Sequence, residues 1–260
     1  MSPLQAENLL SIPKISHGFM TRNGGVSSGV YASANFAINK KDSEINVQEN
    51  KKILLKSFGG VYSNIFLLSQ KHTNKIVPVD DNWEEKVQQN SGILEADGLI
   101  SERKGILIGV LTADCVPLLM STADGKWVAA VHVGWRGALE GIIENAVSQL
   151  RKFSPDDEIV AAVGPCIQQH NFEVGPDLVS AFHQKYMSSK GFFLRKENRT
   201  YFNLEGFVRF RLQDHDIHNI TLTHIDTYSR PDQFFSYRRS CHKGEDGCGC
   251  QVSVIGIQRG

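Results

Sequence analysis

Apolar residues occur along this chain in short runs, and their spacing changes between strand and helix periods. Ile106–Leu111 is a continuous apolar run, which is typical of a strand buried on both faces. Val116–Met120 and Trp127–Val133 flank an Asp-Gly pair at position 124, a strong signal for a hairpin turn. From about Gly137 the apolar residues recur at helical spacing. The pattern therefore predicts three strands followed by a helix.

The same periodicities predict the other elements and a fold class. Further strands are expected over Ile65–Leu68, Ile76–Val79, Ile159–Val163, Ile220–Ile225 and Val252–Ile257, and further helices over Pro176–Tyr186 and Leu204–Leu212. Because strands alternate with helices and at least one hairpin interrupts any parallel order, the class is α/β or α+β with a mixed sheet. Without repeats or low-complexity linkers, residues 1–260 are expected to form a single domain.

Composition and charge exclude several classes of protein. The 260 residues include 28 Lys+Arg and 28 Asp+Glu, so the basic excess usual in nucleic-acid binders is absent. No stretch approaches the roughly 18 apolar residues of a membrane span. The first residues lack the features of a secretory signal, so we expect a cytoplasmic protein. An odd count of five cysteines favours free or metal-bound thiols over a disulfide framework.

Cys115 and His132 lie at neighbouring ends of the predicted hairpin. If the turn centres on residues 123–124, Cys115 faces His132; if it centres on 124–125, Cys115 faces Gly134. Both arrangements bring Cys115 and His132 within a residue or two of opposite positions, close enough to share one ion. The simpler interpretation is that Cys115 is a small core residue, the more common role of a cysteine near a strand.

A thiolate combined with imidazoles selects zinc, or copper. Three protein ligands leave a fourth position open, which is the pattern of a catalytic metal rather than a structural one. Spacing alone does not identify the third ligand, and His72, beside a predicted strand, is the best candidate. Arg136 and Gly137 at the predicted helix start suggest an anion site for phosphate or a carboxylate, unless Arg136 simply pairs with Asp114.

Several sequence blocks, in their order and spacing, resemble the laccase-domain (multicopper polyphenol oxidase-like) family. The blocks are Thr21–Ser27, Ala96–Gly98, Leu111–Pro117, His132–Gly137, Gly164–Ile167, Phe172–Gly175 and Phe234–Arg239. Members of this family are described as purine nucleoside phosphorylases, and some as peptidoglycan editing factors. The resemblance covers nearly the whole chain. It implies an α/β/β/α layered sandwich and a zinc ion held by His72, Cys115 and His132.

The resemblance also implies an activity. It implies phosphorolysis of adenosine, inosine, guanosine and methylthioadenosine, together with adenosine deamination, so the expected partners are small molecules. The chain departs from the family pattern around His72, at Val133 and at Cys250, where an arginine is common. For phosphate, Arg136 is the first choice and Arg22 the second.

Two aspartates are candidates for supporting roles in this chemistry. Asp97 and Asp114 could orient a metal-ligating histidine, position a ribose hydroxyl or act as acid–base groups. Either could instead bond only to local backbone, as an aspartate at a turn or strand end commonly does.

Three other functions remain as alternatives. A copper-dependent polyphenol oxidase would need many histidines, commonly in His-x-His pairs, and none of the nine histidines forms such a pair. A Cys–His hydrolase that edits wrongly built peptidoglycan precursors would use Cys115 as nucleophile and His132 as base. A metal- or nucleotide-binding module without catalysis is the third. Separately, Cys241, His242, Cys248 and Cys250 could bind a second metal or form a merely exposed loop.

Overall fold

The computed structural model describes residues 1–38, 41–89 and 94–259, which form two stacked β-sheets between layers of helices. The strands are β1 (Ile15–Phe19), β2 (Asn64–Phe66), β3 (Ile76–Pro78), β4 (Gly98–Ser101), β5 (Ile106–Thr112), β6 (Val116–Thr122), β7 (Val128–Val133), β8 (Ile159–Val163), β9 (Glu173–Val174), β10 (Phe193–Lys196), β11 (Arg199–Phe202), β12 (Ile220–Leu222) and β13 (Gln251–Ile257). The helices are α1 (Glu7–Leu10), α2 (Glu44–Ser57), α3 (Trp83–Gln89), α4 (Trp135–Glu140), α5 (Ile142–Phe153), α6 (Pro176–Lys185), α7 (Leu204–Gln213) and α8 (Tyr237–Lys243).

Both large sheets mix parallel and antiparallel neighbours. The six-stranded sheet has the order β12-β8-β6-β7-β4-β3, with parallel pairs at its two edges and antiparallel pairs between them. The four-stranded sheet has the order β1-β13-β5-β2, of which only the β2–β5 pair is parallel. Strands β9, β10 and β11 form a small third sheet. The expectation of a mixed-sheet α/β fold is confirmed.

The apolar strands are buried on both faces because each large sheet has a core on either side. In β5, Ile108 and Val110 point into the core between the two sheets, whereas Leu107 points toward the core under α2. In β6, Leu118 and Met120 pack toward the helix layer that includes α5 and α7. The layers therefore follow in the order helices, four-stranded sheet, six-stranded sheet and helices. This is the α/β/β/α sandwich that the resemblance implies.

The hairpin between β6 and β7 adopts the second of the two expected registers. Pro117 pairs with His132 and Val116 with Val133, so the strand positions continue toward Cys115 opposite Gly134. The turn closes through a 2.9 Å hydrogen bond from the Gly125 amide to the Thr122 carbonyl, and Gly125 has a φ of 68° that favours glycine. The direct pairing of Cys115 with His132 is therefore wrong.

The helix expected after Gly137 is two helices. The first of them, α4, begins earlier than expected, at Trp135. Gly141, which has a left-handed φ of 93°, ends α4 and starts α5. Glycine tolerates this conformation, and the helical apolar spacing continues across the break because both helices cover the same sheet. Apolar spacing alone therefore could not show the break.

Other elements were not predicted, and α2 shows why. Its buried positions are Val47, Asn50 and Leu54, so an asparagine occupies the centre of the face turned to the protein. The Asn50 side chain accepts from the Val26 amide and donates to the Asn35 carbonyl, which makes a polar residue suitable there. Within the described residues, no helix combines the length and the apolar character that crossing a membrane would require.

Candidate active site

A cavity of ≈ 1120 Å³ opens where the turn after β5 meets the end of β7. Cys115, His132 and Trp135 line one part of it, and Phe66, Leu68, Trp83, Val87 and Leu94 line an apolar part. A cavity of this size that combines apolar walls with a few convergent polar groups is the usual form of a small-molecule site.

The three predicted metal ligands meet in this cavity. One ligand atom each from His72, Cys115 and His132 lies within 4.8 Å of the others. Cys115 follows β5, His132 lies in β7, and His72 lies in the loop between β2 and β3 with a left-handed φ of 60°. The two imidazole rings meet edge to face, with their centroids 4.8 Å apart. Residues distant in sequence are thus brought together by three separate backbone segments.

Asp97 supports this group from behind. Its Oδ1 lies 2.8 Å from Nδ1 of His132, and its carboxylate accepts hydrogen bonds from the amides of Lys71, His72 and Thr73. Asp97 is completely buried, so it does not reach the cavity. The expected role of orienting a metal-ligating histidine fits this position, whereas direct contact with a substrate does not.

The charges of Asp97 and His132 depend on each other. Burial would raise the pKa of Asp97, but hydrogen bonds from His132 and Thr73 outweigh it and lower that pKa to about 2. Burial would lower the pKa of His132, but the negative charge of Cys115 and the bond to Asp97 outweigh it and raise that pKa to about 9. The ionised carboxylate keeps a proton on Nδ1 of His132, so a metal would bind at Nε2 in place of the proton that this nitrogen carries in the metal-free protein at neutral pH.

Gly134, opposite Cys115, leaves room for the side chains of His72 and Cys115. A Cβ at residue 134 would overlap Nδ1 of His72 and would stand 3.3 Å from Sγ of Cys115. Only glycine leaves the imidazole and the thiol this space. The hairpin register therefore contributes to the metal group by placing glycine across from the thiol.

The residues fit a metal ion. Nδ1 of His72 is buried and has no hydrogen-bond partner in the part of the chain that the structure describes, as expected of an atom whose partner would be an ion. One thiolate and two imidazoles are a donor set suited to zinc or copper, with a fourth position open. Among the described residues, this is the one group of three metal-binding side chains that comes together. The group could bind a metal, and its identity is not determined by the donor set alone.

Asp114 lines the cavity, but its carboxylate faces helix α8 rather than a histidine. Oδ1 accepts from the Thr227 hydroxyl and Oδ2 from the Arg238 amide, both at 2.7 Å. The residue has a left-handed φ of 89°, a strained conformation for a side chain. Burial raises the pKa of Asp114, and these hydrogen bonds oppose the rise.

The predicted phosphate residues are only partly brought together. Arg136 lines the cavity, and its guanidinium lies 4.5 Å from the centre of the Trp135 ring. Gly137 is buried beneath the carbonyl of Thr73 and does not line the cavity. Because α4 begins at Trp135, Gly137 is already inside the helix rather than at its start.

Arg22 is not brought to the cavity at all. Its Nε donates to the Ala32 carbonyl at 2.7 Å and its Nη1 to the Pro231 carbonyl at 2.9 Å. The guanidinium also stacks 4.4 Å from the centre of the Phe235 ring. These contacts use Arg22 to join the N-terminal loop to the segment before α8.

Sequence reasoning did not single out Arg238 as a functional residue. It lines the main cavity and an adjoining one of ≈ 360 Å³, and Trp135, Arg136 and Phe172 also line both. The available signal is the block Phe234–Arg239, which is one of the segments that carry the family resemblance. Its neighbour Arg239 is buried, and its guanidinium donates only to backbone carbonyls.

The cysteine-rich segment near the end does not form a second metal group among the described residues. Cys241 is exposed, and Nδ1 of His242 lies 2.9 Å from the Tyr228 hydroxyl. Cys250 instead lines the main cavity, and burial raises its pKa to about 12. This segment is divided between the surface and the cavity wall.

Fold and cavity together define a mixed-sheet α/β protein with a metal-competent pocket. A sequence model of the family described as multi-copper polyphenol oxidoreductase laccase matches residues 16–258. The chain belongs to this family, as the sequence resemblance indicated.

Relatives in the family share about a third of their residues with this chain. A purine nucleoside phosphorylase of Rickettsia conorii is 35% identical over 221 residues, covering 84% of this chain and 86% of that protein. A purine nucleoside phosphorylase of Haemophilus influenzae is 33% identical over 238 residues, covering 90% and 93%. The purine nucleoside phosphorylase YfiH of Escherichia coli is 32% identical over 220 residues, covering 84% and 86%.

Solved structures share the fold. A crystal structure of a Neisseria meningitidis protein superposes with a TM-score of 0.82 at 28% identity, covering 95% of this chain and 96% of that one. The hypothetical protein YfiH of Bacillus licheniformis gives 0.83 at 27% identity, covering 94% and 93%. The arrangement of layers is therefore one that the family shares.

Proposed function

We propose that this protein is a zinc-dependent purine nucleoside phosphorylase acting on adenosine, inosine, guanosine and methylthioadenosine. The observation that carries the proposal is that His72, Cys115 and His132 line the same cavity as Arg136, in a chain whose relatives are named purine nucleoside phosphorylases over most of their length. A metal group beside an arginine that forms no ion pair with any described carboxylate suits a reaction between a nucleoside and phosphate.

His72, Cys115 and His132 would hold the zinc ion, with Asp97 fixing the ring of His132 from behind. When bound, zinc supplies a Lewis acid that polarises an oxygen of the substrate or of an attacking group. Ionised Asp97 keeps His132 in the tautomer that presents Nε2. The buried position of Asp97 supports a positioning role, not a catalytic one.

Phosphorolysis requires phosphate beside C1′ of the ribose: the C1′–N9 bond breaks, an oxygen of phosphate bonds C1′, and the purine leaves with the electron pair. Arg136 is the residue we propose for phosphate, because its planar guanidinium offers paired donors to an oxyanion. Aromatic walls such as Trp135 and Phe172 provide faces on which a purine could stack. The cavity is large enough for nucleoside and phosphate together.

Adenosine deamination is the second activity that we propose for this cavity. In this reaction an oxygen of water bonds C6 of the purine, the bond from C6 to the amino nitrogen breaks, and the amino group leaves as ammonia to give inosine. The same metal group and aromatic walls would serve both reactions.

Two alternatives have less support. A multicopper oxidase needs several copper sites, whereas the described residues bring together one group of three ligands. A Cys–His hydrolase that edits peptidoglycan precursors would use Cys115 and His132 but leaves the approach of His72 unexplained. We further propose that residues 1–260 form one domain, that the protein acts in the cytoplasm, and that its partners are purine nucleosides and phosphate rather than nucleic acid.

The first experiment is to purify the protein without added metal, to quantify bound metals, and to incubate it with adenosine with and without phosphate. The proposal expects near-stoichiometric zinc, and adenine with ribose-1-phosphate only when phosphate is present. Cys115→Ala should abolish both metal and product. Cys241→Ala, at an exposed cysteine outside the cavity, is the matched control and should retain both.

The other outcomes separate the alternatives. Inosine formed without phosphate identifies the deaminase reaction. Zinc without any purine product contradicts the substrate assignment but keeps the metal group. Copper with phenol oxidation points to the oxidase, and a metal-free protein with a readily alkylated Cys115 points to the hydrolase.

A further inference from the structure

Arg238 has donor groups that the described part of the protein does not use. Its Nη2 donates to the Glu173 carbonyl at 2.8 Å, and its guanidinium carbon lies 5.7 Å from the centre of the Phe172 ring. A guanidinium carries five N–H donors, and no carboxylate among the described residues forms an ion pair with this one. The remaining donors are free for a ligand.

Trp135, Arg136, Phe172 and Arg238 line both the main cavity and the adjoining one of ≈ 360 Å³, and we call the region that they share the passage. Each is stacked against an aromatic ring, Arg136 on Trp135 and Arg238 on Phe172, which limits where its guanidinium can lie. Two constrained arginines on one passage are an arrangement that recognises an oxyanion by paired hydrogen bonds.

Asp114 fixes the backbone from which Arg238 extends. Ser236 caps the start of α8, and the amide of Arg238 donates to Oδ2 of Asp114 at 2.7 Å. Thr227 holds the other carboxylate oxygen at 2.7 Å, and the Asp114 carbonyl accepts from the Ile167 amide at 2.9 Å. Asp114 also directly precedes Cys115. One residue therefore connects the thiol of the metal group with the arginine of the passage.

We propose that Arg238 is a second ligand for the phosphate co-substrate, and that Asp114 is a positioning residue which holds Arg238 in place relative to Cys115. This inference rests on the proposed function and deepens it by naming residues of the phosphate site. Both carboxylate oxygens of Asp114 already accept hydrogen bonds from the protein, so its contribution is to geometry and not to proton transfer with the substrate.

The test compares Arg238→Ala, Asp114→Asn and the double variant as zinc-loaded enzymes. Arg238→Ala should raise the KM for phosphate roughly tenfold or more, since a charge-assisted bond is lost. The KM for adenosine and the zinc content should stay near the parent values. Arg238→Lys should restore only part of the phosphate affinity. Arg195→Ala removes an exposed arginine on β10 that lines neither cavity, and it should leave the KM for phosphate unchanged.

The double variant tests the coupling. Asp114→Asn alone should raise the KM for phosphate, and it should have no further effect on that KM once Arg238 is alanine. It should also leave the shape of the pH–rate profile unchanged. Additive effects, or loss of a limb of that profile, would overturn the positioning role. If Asp114→Asn does not fold, Thr227→Val, which removes the other hydrogen bond to the carboxylate, takes its place in the cycle.

Calorimetric titration of inorganic phosphate into the zinc-loaded protein separates this inference from the proposed function. Phosphate binding that weakens in Arg238→Ala but not in Arg195→Ala supports the site even if adenosine is not a substrate. Unchanged phosphate binding and unchanged KM in Arg238→Ala would overturn it, even in an active phosphorylase.

Discussion

The carboxylate of Asp97 and the imidazole of His132 form a buried pair, with Oδ1 and Nδ1 separated by 2.8 Å. The same carboxylate accepts amide hydrogen bonds from the loop that carries His72. One side chain therefore orients one candidate metal ligand directly and the backbone of another indirectly. This arrangement explains how a loop residue and a strand residue can be held at a constant separation.

Asp97→Asn should therefore weaken zinc binding by about 10- to 100-fold, because the amide cannot reproduce the charged acceptor behind His132. The stability of the metal-free protein should also fall, since three amides lose a charged acceptor. Competition with a chromophoric chelator measures the affinity. Asp214→Asn serves as control, because this half-exposed residue follows the end of α7 and pairs with Arg211. Equal zinc affinity in Asp97→Asn and the parent would contradict the assignment.

Gly134→Ala should abolish metal binding although all three ligands remain. The added Cβ would overlap Nδ1 of His72 and press on Sγ of Cys115, so the ligand atoms must move apart. Zinc content after purification, together with circular dichroism to verify folding, provides the measurement. Gly191→Ala is the matched control because a Cβ there meets nothing within 4 Å. Retention of zinc by folded Gly134→Ala would show that this contact does not limit the group.

Stability at acid pH should depend on His17. This completely buried imidazole accepts the Ala6 amide at Nε2, and burial lowers its pKa to about 4. Because the unfolded chain binds the proton near the ordinary value of 6.5, the contribution of His17 to stability is lost as pH falls from about 6.5 to about 4. A shift of this size corresponds to about 3 kcal/mol.

Urea unfolding of the chelator-treated parent and His17→Asn across this range isolates the effect. The difference in unfolding free energy between the two proteins should shrink toward pH 4, since only the parent carries this group. A difference that stays constant with pH would mean that His17 does not titrate in this way.

The fold was predictable where burial alone determines the pattern. Ile106–Leu111 and Val252–Ile257 lie between two cores, so their continuous apolar runs identified strands correctly. Helix α2 was not predicted because Asn50 occupies a position on its buried face where an apolar residue would be expected. The break between α4 and α5 at Gly141 was not predicted because the helical spacing of apolar residues continues through it. The local pattern of apolar residues indicates which positions are buried. It does not indicate buried polar residues whose hydrogen bonds are made with segments distant in sequence.

The sequence predicted the three side chains that meet as a group able to bind a metal, but it did not predict the contacts of the residues that support them. Spacing on the hairpin indicated Cys115 and His132, whereas His72 came from proximity to a strand and from family resemblance. Asp97 bonds to a residue of the metal group, whereas Asp114 bonds to α8. This difference depends on contacts between segments far apart in sequence. For the same reason Arg238 could not be distinguished from Arg239, which is buried against backbone carbonyls.

Arg136 and Arg22, the two arginines considered for phosphate, should respond differently to replacement. Arg136→Ala should raise the KM for phosphate without changing thermal stability, because its exposed guanidinium contacts only the Trp135 ring in the described protein. Arg22→Met should lower thermal stability and leave the KM for phosphate unchanged. One part-buried and one exposed hydrogen bond to carbonyls and a stacking contact would be lost, which should lower the unfolding free energy by about 1–3 kcal/mol.

Initial rates at varied phosphate, with melting temperatures of the same zinc-loaded preparations, measure both effects. The rates must be taken well below the melting temperature of Arg22→Met, so that any loss of folded enzyme is not mistaken for weaker phosphate binding. Arg136→Lys should recover part of the affinity, since it restores charge without the planar pair of donors. A raised phosphate KM in folded Arg22→Met would contradict the placement of phosphate beside Arg136, because Arg22 lies outside the cavity and its guanidinium is held by the carbonyls of Ala32 and Pro231.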